Sequence, residues 1–397
     1  MAVLKKVLLP KKKIILCFLK FYLPGYKHGG PIRSIVNFVE KFGDEYDIRI
    51  VCSSGDTPDK KPYKGIVVEK WNQVGKAKVF YVSNKIIKFK KIFELMDRTD
   101  YSILYLNSFF TFTFSIFPLL ILRLNFIKLK SCIIAPRGEL AKNAIKLKKI
   151  KKIFYMFIVK LAGLYKNLCW QASSELESKD IYRQLGSTAN VIKVAPDLIF
   201  SKQYAPKKIL NKKIGLFKII FLSRISPMKN LDFLIKVLTN VSYPLELNIL
   251  GPKDDLQYWN LCKKLINKLP THIKITVSDE VPPNKVIETF AKHDLFVFPT
   301  RGENFGHVIP ESLSAGTPIL LSDQTPWQND PSFGLQTLPL KKKVWVKAIE
   351  KWVNLSNNKL LIRKKAALNY ANKIRLKNEK SILTNTQLFE YKLSCLN

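Results

Sequence analysis

The sequence predicts an α/β fold of two halves, each built on a parallel sheet covered by helices. Its 397 residues are enough for two domains of ordinary size. Apolar runs are repeatedly followed by a polar or glycine-containing turn and then by a segment with helical spacing, an alternation typical of parallel sheets. The alternation stops at the lysine- and proline-containing stretch 201–213 and restarts at 217, so we expect that stretch to link the halves.

The composition indicates a globular chain with a strongly basic surface. Hydrophobic residues make up 47% and aromatic residues 12% of the sequence, which excludes a disordered chain. The six cysteines form no C-x-x-C pair, so neither a zinc site nor a disulfide framework is predicted, and a reducing compartment fits. The formal net charge of +37 points to an anionic partner, a membrane surface or a bias toward lysine. Because the sequence has no helix-turn-helix, zinc-finger or RNA-binding pattern, we do not expect a nucleic acid partner.

The first half begins with an apolar strand at 13–22, a turn, and a helix from Ile32 to Phe42. Gly29 and Gly30 in this turn would let a ligand approach the backbone, and the helix start offers unpaired amides. On this motif alone, an ordinary structural turn is the better explanation. Further strands are predicted at 47–54, 65–71, 78–83, 102–108 and 130–135, with the second and third paired near the sheet edge.

Residues 102–122 contain no charged side chain and reach the length of a membrane span. Several polar residues and Pro118 interrupt the run, which favours a strand followed by an apolar helix. We therefore do not expect a span here.

Polar residues follow two later strands of the first half. Arg137 stands at a strand's carboxyl end, where it would bind a phosphate or an acidic sugar, whereas a salt bridge with Glu139 explains it structurally. Ser174 is predicted to cap a helix, with Glu177 three residues later. Capping is therefore the expected role of Glu177.

Between Ala141 and Leu161, lysines alternate with apolar and aromatic residues at helical spacing. The pattern predicts a basic amphipathic helix. Such helices lie on anionic membranes, where each cation contributes on the order of 1 kcal/mol. A helix packed on its own sheet with a solvated lysine face has the same pattern, so both interpretations stay open.

The second half contains the strongest signals for a functional site. Arg224 and Lys229 lie five residues apart on the turn after a predicted strand, so the two cations can converge on one anionic group. Further on, an apolar strand ends at Pro299, and a polar loop leads to a helix that we expect to begin at Pro310. Ligands of open parallel sheets bind at this end of the strands, and a helix start attracts anions.

Glu303 lies on this loop and Glu311 just inside the helix, eight residues later, so both can face one crevice. Ionised carboxylates only accept hydrogen bonds, which suits the paired hydroxyls of a sugar or ribose. Taken singly, each has an equally good structural explanation, because Glu311 complements the helix dipole and Glu303 can be a solvated loop residue.

Taken together, Glu303-Asn304-Phe305-Gly306, Glu311 and the stretch 314–318 resemble the E-x7-E signature of glycosyltransferase family 4, retaining enzymes of the GT-B fold. The resemblance implies two Rossmann-like domains facing a cleft. It places Glu303 by the donor hexose and Glu311 on the nucleotide ribose. The backbone amides that follow Glu303 would reach the diphosphate.

The same resemblance assigns further positions of this sequence. Arg224 and Lys229 would grip the donor diphosphate and stabilise the leaving group, and the loop near Val281 and Pro282 would contact the base. Gly29 and Gly30 would face the donor phosphates and the acceptor. We expect both Glu303 and Lys229 to face solvent in an empty cleft. The chain departs from the pattern at His28, where many relatives carry glycine, and at Asp197, where many have a Pro-Asn-Gly turn.

The resemblance also implies the domain limits. Residues 1–205 would form the acceptor-binding domain, 206–379 would bind the nucleotide sugar, and a final helix at about 380–397 would cross back to the first domain. No D-x-D sequence occurs, so we expect no metal and no other cofactor.

The expected function is transfer of a hexose-type sugar from a nucleotide diphosphate donor to a saccharide acceptor. The resemblance favours a role in bacterial O-antigen, capsule or exopolysaccharide assembly. The acceptor would be polyprenyl-linked, and the protein would be cytoplasmic and attached peripherally to the anionic inner face of the bacterial plasma membrane. Two alternatives remain. One is a catalytically inactive membrane- or polyanion-binding protein on the same fold, and the other is a sugar-nucleotide epimerase.

Overall fold

The computed structural model describes residues 12–27, 29–56, 61–83, 89–128, 130–146, 149–199 and 215–391, and the predicted linker at 201–213 lies outside them. Within these residues each half contains one sheet. The strands of the first are β1 Ile14–Phe18, β2 Asp47–Ser53, β3 Trp71–Val74, β4 Ala77–Val82, β5 Ile103–Leu106, β6 Ser131–Ile134, β7 Cys169–Ala172 and β8 Val191–Val194. Those of the second are β9 Phe217–Leu222, β10 Leu245–Leu250, β11 Ile273–Ser278, β12 Leu295–Phe298, β13 Ile319–Ser322 and β14 Leu335–Leu338.

Helices cover both sheets. Those of the first half are α1 Gly30–Phe42, α2 Phe89–Arg98, α3 Phe117–Arg123, α4 Lys142–Lys146, α5 Lys149–Leu161 and α6 Glu175–Leu185. Those of the second half are α7 Leu231–Leu238, α8 Leu256–Ile266, α9 Val286–Ala291, α10 Val308–Ser314 and α11 Lys342–Val353, followed by the long α12 Asn357–Glu390. The predicted α/β class with two parallel-dominated sheets is confirmed.

The strand order changes direction in the middle of each sheet. The first sheet runs β3-β4-β2-β1-β5-β6-β7-β8 and is parallel except at the β3–β4 edge. The second runs β11-β10-β9-β12-β13-β14 and is parallel throughout. The chain therefore switches sides between β1 and β5 and again between β9 and β12. Ligands of such sheets bind outside the strands' carboxyl ends at this switch point.

The central strands are apolar because helices cover both of their faces. Every residue of β1 and β12 is buried. Strands buried on both faces have near-continuous apolar sequences, which is why these runs could be recognised in the sequence. Their carboxyl ends lead directly into the polar loops that carry Gly29, Gly30 and Glu303.

Several element limits differ from the expectations. The helix expected to begin at Pro310 begins at Val308, so Glu311 still lies in its first turn. The edge strands β3 and β4 form an antiparallel pair, but the segment 65–70 is not part of it. The single helix expected over 141–161 is formed as two helices, α4 and α5.

The helix α12 crosses from the second half to the first, as predicted. Its early residues Leu360 and Ala367 belong to the core of the second half. Near its end, Leu388 and Phe389 join a core of the first half, where Phe389 lies 4.8 Å from Phe38 between ring centroids. The domain limits at 205 and 379 remain predictions.

Within the described ranges, no helix is long and apolar enough to cross a membrane. The uncharged run 102–122 contains β5 and α3, in line with the expected strand and helix.

The crossing of α12 predicts an asymmetric response to the same substitution at two of its positions. Leu388→Ala should lower the free energy of unfolding by about 2–5 kcal/mol, because the side chain is only 1% exposed and is packed in the same core of the first half as Phe38. Leu376→Ala, at a position that is 71% exposed, is the matched control and should cost less than about 0.5 kcal/mol. Denaturant unfolding monitored by circular dichroism measures both. Equal effects would contradict the docking of the helix end.

Candidate active site

A cleft of about 860 Å³ lies between the two halves. Its lining residues follow the carboxyl ends of strands in both sheets, which is where the switch points lie. All of the site residues predicted from the sequence line it: Gly29, Gly30, Arg137, Arg224, Lys229, Val281, Glu303, Asn304, Phe305, Gly306 and Glu311. Their roles remain predictions, but the fold brings all of these residues, from position 29 to position 311, into one cleft.

Glu303 and Lys229 form an ion pair inside the cleft. The Lys229 Nζ donates to Glu303 Oε2, and the side chains are only 12% and 16% exposed. The ammonium group also lies 5.4 Å from the centre of the Phe298 ring. The expectation that both side chains face solvent is therefore wrong. Opposite charges in a partly dehydrated cleft attract each other more strongly than in water, which stabilises the pair.

Gly306 shapes the loop that carries Glu303. Its φ of +79° is in the left-handed region, and a Cβ there would lie 2.8 Å from Glu303 Cγ and from Ile309 Cδ1. Only glycine allows the loop to fold back over the start of α10. Trp327 Nε1 donates to the Phe305 carbonyl oxygen at 2.6 Å and holds the same loop from the second half.

Arg224 and Lys229 do not share one partner. Arg224 donates to Asp254 Oδ2 at 3.3 Å and is more exposed than Lys229. Both cations line the cleft, so a diphosphate could still lie between them.

Glu311 is paired across the cleft. Its Oε1 lies 3.2 Å from an Arg33 guanidinium nitrogen, and both side chains are mostly buried. Arg33 belongs to the first turn of α1, directly after Gly29 and Gly30. Sequence reasoning missed this residue, although its position one turn into the helix behind a glycine loop places it at the same strand end.

Arg137 is held by the first half. Its guanidinium donates to Asp197 Oδ1, to Asn107 Oδ1 at 2.7 Å and to the Tyr105 hydroxyl at 2.6 Å. The alternative of a salt bridge with Glu139 is wrong, because Glu139 instead accepts from neighbouring groups. These are the Ser108 hydroxyl at 2.9 Å and the backbone N–H groups of Phe109 at 2.6 Å and Phe110 at 3.0 Å.

A chain of hydrogen bonds continues from Asp197 to His307 in the second half. The Ser34 Oγ lies 2.8 Å from Asp197 Oδ2, 3.1 Å from the Gly30 carbonyl and 3.0 Å from His307 Nε2. Since the first two groups only accept, the Ser34 hydrogen goes to one of them and His307 Nε2 donates. Burial lowers the pKa of His307 to about 4, so the ring is neutral at pH 7. Neither Ser34 nor His307 was selected from the sequence.

Glu177 of the first half contacts the loop that follows β12. Its carboxylate accepts from the backbone N–H of Gly138 at 2.6 Å and of Ser173 at 2.8 Å, and it is hydrogen-bonded to the Asn304 side chain. Burial raises its pKa, and these hydrogen bonds oppose the rise. Ser174 does cap α6, as predicted, but the Glu177 side chain reaches across the cleft.

These contacts show that the first half holds the segment 303–311 at three points, namely Asn304, His307 and Glu311. The described part of the chain contains no group of three or more His, Cys, Asp or Glu side chains arranged to hold a metal ion.

Part of the chain matches a known protein family, and nearly the whole chain resembles several solved structures. Residues 205–330 match the family described as glycosyl transferases group 1. The chain resembles the sucrose-phosphate synthase of Thermosynechococcus elongatus with a TM-score of 0.72 at 13% identity, covering 96% of this chain and 98% of that one. It resembles Anabaena Alr3699/HepE in complex with UDP-glucose with a TM-score of 0.68 at 16% identity, covering 95% and 98%.

A third solved structure is WaaG, described as a glycosyltransferase involved in lipopolysaccharide biosynthesis, with a TM-score of 0.65 at 14% identity over 93% of this chain and 98% of that one. The D-inositol 3-phosphate glycosyltransferase of Nocardia farcinica is 24% identical over 165 residues, which are 38% of this chain and 37% of that protein. The chain therefore has the GT-B fold, and its residues 205–330 carry a glycosyltransferase group 1 domain.

The buried His307 predicts a pH-dependent contribution to stability. Its pKa in the folded chain, about 4, lies below the ordinary value of 6.5, so the neutral ring stabilises the fold above pH 6.5 and this contribution is lost as pH falls toward 4. Replacing the ring by a group that does not titrate, His307→Asn, should therefore cost most near neutral pH. The difference in free energy of unfolding between wild type and variant should shrink by roughly 3 kcal/mol from pH 7 to pH 4. A difference independent of pH would contradict the buried neutral ring.

Proposed function

We propose that the protein is a retaining, metal-independent glycosyltransferase that moves a hexose-type sugar from a nucleotide diphosphate donor to a saccharide acceptor. The observation that carries this proposal is the placement of Glu303 and Glu311 on one loop–helix segment at the switch point of the second sheet, facing Gly29 and Gly30 across the cleft. This segment belongs to the part of the chain that matches the group 1 family.

The charges of the cleft suit a nucleotide diphosphate sugar. Lys229 has three N–H donors, so it can keep Glu303 and still donate to a phosphate oxygen. Arg224 lies on the same turn and adds a second cation. Glu311 offers carboxylate oxygens to the ribose hydroxyls, and Glu303 offers them to the hexose. The relatives with bound UDP or UDP-glucose lend support to a nucleotide sugar as donor.

In the proposed reaction, the bond from the anomeric carbon to the diphosphate oxygen breaks while the acceptor oxygen bonds to the same face of the sugar. The acceptor proton passes to the departing phosphate. Arg224, Lys229 and the first amides of α10 stabilise the charge that develops on the leaving group. Because protein cations meet this charge, the reaction needs no metal ion.

The proposed roles predict distinct defects. Removing both partners of the buried pair, Glu303→Gln with Lys229→Met, leaves no unpaired charge and should preserve the fold while lowering the transfer rate by about 10²–10³-fold. Glu311→Ala should instead weaken nucleotide binding, by about 1–3 kcal/mol. Product analysis by mass spectrometry over a panel of sugar nucleotides, with and without EDTA, measures the rates.

Turnover near wild type in the Glu303/Lys229 double variant would refute the site. Loss of activity in EDTA that magnesium or manganese restores would refute the metal-independent reaction. Product without an acceptor would favour an epimerase, and no product with any donor would favour the inactive polyanion-binding alternative.

We further propose that the acceptor is lipid-linked and that the protein binds the inner face of the bacterial plasma membrane during O-antigen, capsule or exopolysaccharide assembly. The support is the surface of α5. Met156 and Val159 of this helix are buried in a core of the first half, but its other side carries exposed apolar side chains, at 85% for Ile150, 65% for Phe154, 64% for Phe157 and 81% for Leu161. Apolar side chains flanked by lysines are typical of helices that lie in a membrane interface.

The distribution of charged residues along the sequence also supports membrane binding by the surface of α5. Between residues 101 and 174 the sequence has twelve lysines and arginines but a single acidic residue, Glu139, whereas the whole chain has 67 basic and 30 acidic residues. Glu139 accepts hydrogen bonds from Ser108, Phe109 and Phe110 on the loop after β5, and its one negative charge offsets only a small part of this basic excess. A general bias toward lysine would leave this stretch near the average ratio, so the excess favours an anionic surface as partner.

Membrane binding should depend on these exposed aromatic residues and on lipid charge. The double variant Phe154→Ser/Phe157→Ser should lower binding to anionic phosphatidylglycerol vesicles by about tenfold or more. The control Ile362→Ser/Leu376→Ser removes apolar side chains of similar exposure from α12 and should have no effect. Vesicle sedimentation measures both, and salt should weaken binding because exposed charges are screened over about 8 Å. Equal binding to neutral phosphatidylcholine vesicles would argue against this surface.

A further inference from the structure

The cations that line the cleft fall into two groups. Within the described chain, nine lysine and arginine side chains line it, and seven of these have a nitrogen within 3.5 Å of a carboxylate oxygen. The other two, Lys142 and Lys146, pair with no carboxylate of the described chain. Seven of these cations are therefore paired with carboxylates of the protein, whereas the other two can pair with an anionic group of a ligand.

The two unpaired lysines are neighbours on one turn of α4. Positions four residues apart on a helix lie on the same face, with Cβ atoms about 5–6 Å apart, and like charges at this spacing destabilise a helix slightly. Both side chains are exposed to the cleft. In the same helix, Ile145 is buried in a core of the first half, and Asn143 donates to the carbonyl oxygen of Arg301 across the cleft. The helix that carries the lysines is thus anchored to both halves.

Lys142 and Lys146 lie on a different wall of the cleft from the cations proposed to bind the donor. The proposed diphosphate cations Arg224 and Lys229 follow β9 in the second half, whereas α4 follows β6 in the first half. Two clusters of positive charge on opposite walls can serve two anionic groups, one on each substrate. A compact ammonium group is a point charge that binds phosphate oxygens without demanding a fixed orientation.

The helix that follows α4 indicates which substrate carries the second anionic group. The helix α5 begins after a gap of two residues. It has exposed apolar side chains between Ile150 and Leu161. We infer that Lys142 and Lys146 form a subsite for the phosphate group that joins an acceptor to its lipid, with the lipid leaving the cleft along α5. This inference rests on the proposed function, since it assumes a lipid-linked acceptor.

Binding of a soluble prenyl diphosphate tests the subsite without requiring transfer. The probe is geranyl diphosphate, and titration calorimetry measures its Kd for the full-length protein. Lys142→Gln/Lys146→Gln should raise the Kd by about tenfold or more, because two charge-assisted contacts are lost. The control Lys41→Gln/Lys90→Gln removes two exposed lysines of the same half, on α1 and α2 outside the cleft, and should change the Kd less than about twofold. Neither pair of positions is buried, so both variants should fold.

Two further ligands separate the possible sources of the anion. Inorganic pyrophosphate should bind the wild type more weakly than geranyl diphosphate, because it lacks the apolar tail, and geraniol should bind weakly and equally to wild type and variant. Equal loss in both lysine variants, or none in Lys142→Gln/Lys146→Gln, would overturn the subsite. Pyrophosphate binding as tightly as geranyl diphosphate would overturn the lipid-linked source. These results are independent of the transfer assay, so an inactive enzyme with a lysine-dependent prenyl diphosphate site would refute the proposed function and not the subsite.

Discussion

The grip of the first half on the segment 303–311 is the constraint on which the geometry of the site depends. Glu177 holds Asn304, the Ser34 hydroxyl holds His307, and Arg33 holds Glu311. Two of these contacts come from neighbouring residues of α1 and the third from α6, and all three converge on nine consecutive residues of the second half. The loop that carries Glu303 is therefore ordered by both domains, and any movement that opens the cleft must release it.

Charge compensation stabilises the acidic side chains that line the cleft. Glu303 is matched by Lys229, Glu311 by Arg33 and Asp197 by Arg137. Burying an unpaired charge costs several kcal/mol, and pairing removes much of that cost. A nucleotide diphosphate would bring charge for the cations and hydroxyl donors for the carboxylates, so it can replace these internal contacts with similar ones. The pairs thus keep these charged side chains largely desolvated and fixed in orientation.

The sequence revealed those parts of the fold and site that are encoded locally. The apolar run before Pro299, the glycines of the loop and the acidic residues eight apart all lie within one short stretch, and β12, the loop and α10 followed as expected apart from two residues at the helix start. The contacts that were missed join distant positions. Ser34 and His307 are 273 residues apart, and Arg137 and Asp197 are 60 apart, so no local pattern could pair them. Asp197 was noted only as a departure from a family turn, yet it connects Arg137 to Ser34 at the centre of the cleft.

The amphipathic pattern of 141–161 shows a different limit of sequence reasoning, because periodicity identifies an apolar face but not what covers it. The structure divides this stretch between two surroundings. Ile145 of α4 and Met156 and Val159 of α5 are buried, while the apolar residues from Ile150 to Leu161 on the other side of α5 are exposed. One continuous segment therefore begins at Arg137, which is buried in the cleft. It continues through Lys142 and Lys146, which line the cleft, to α5 with its exposed apolar residues. A substrate with a sugar, a phosphate and a lipid in that order has the same sequence of chemical groups, so the order of residues along the chain matches the order of groups along the proposed acceptor.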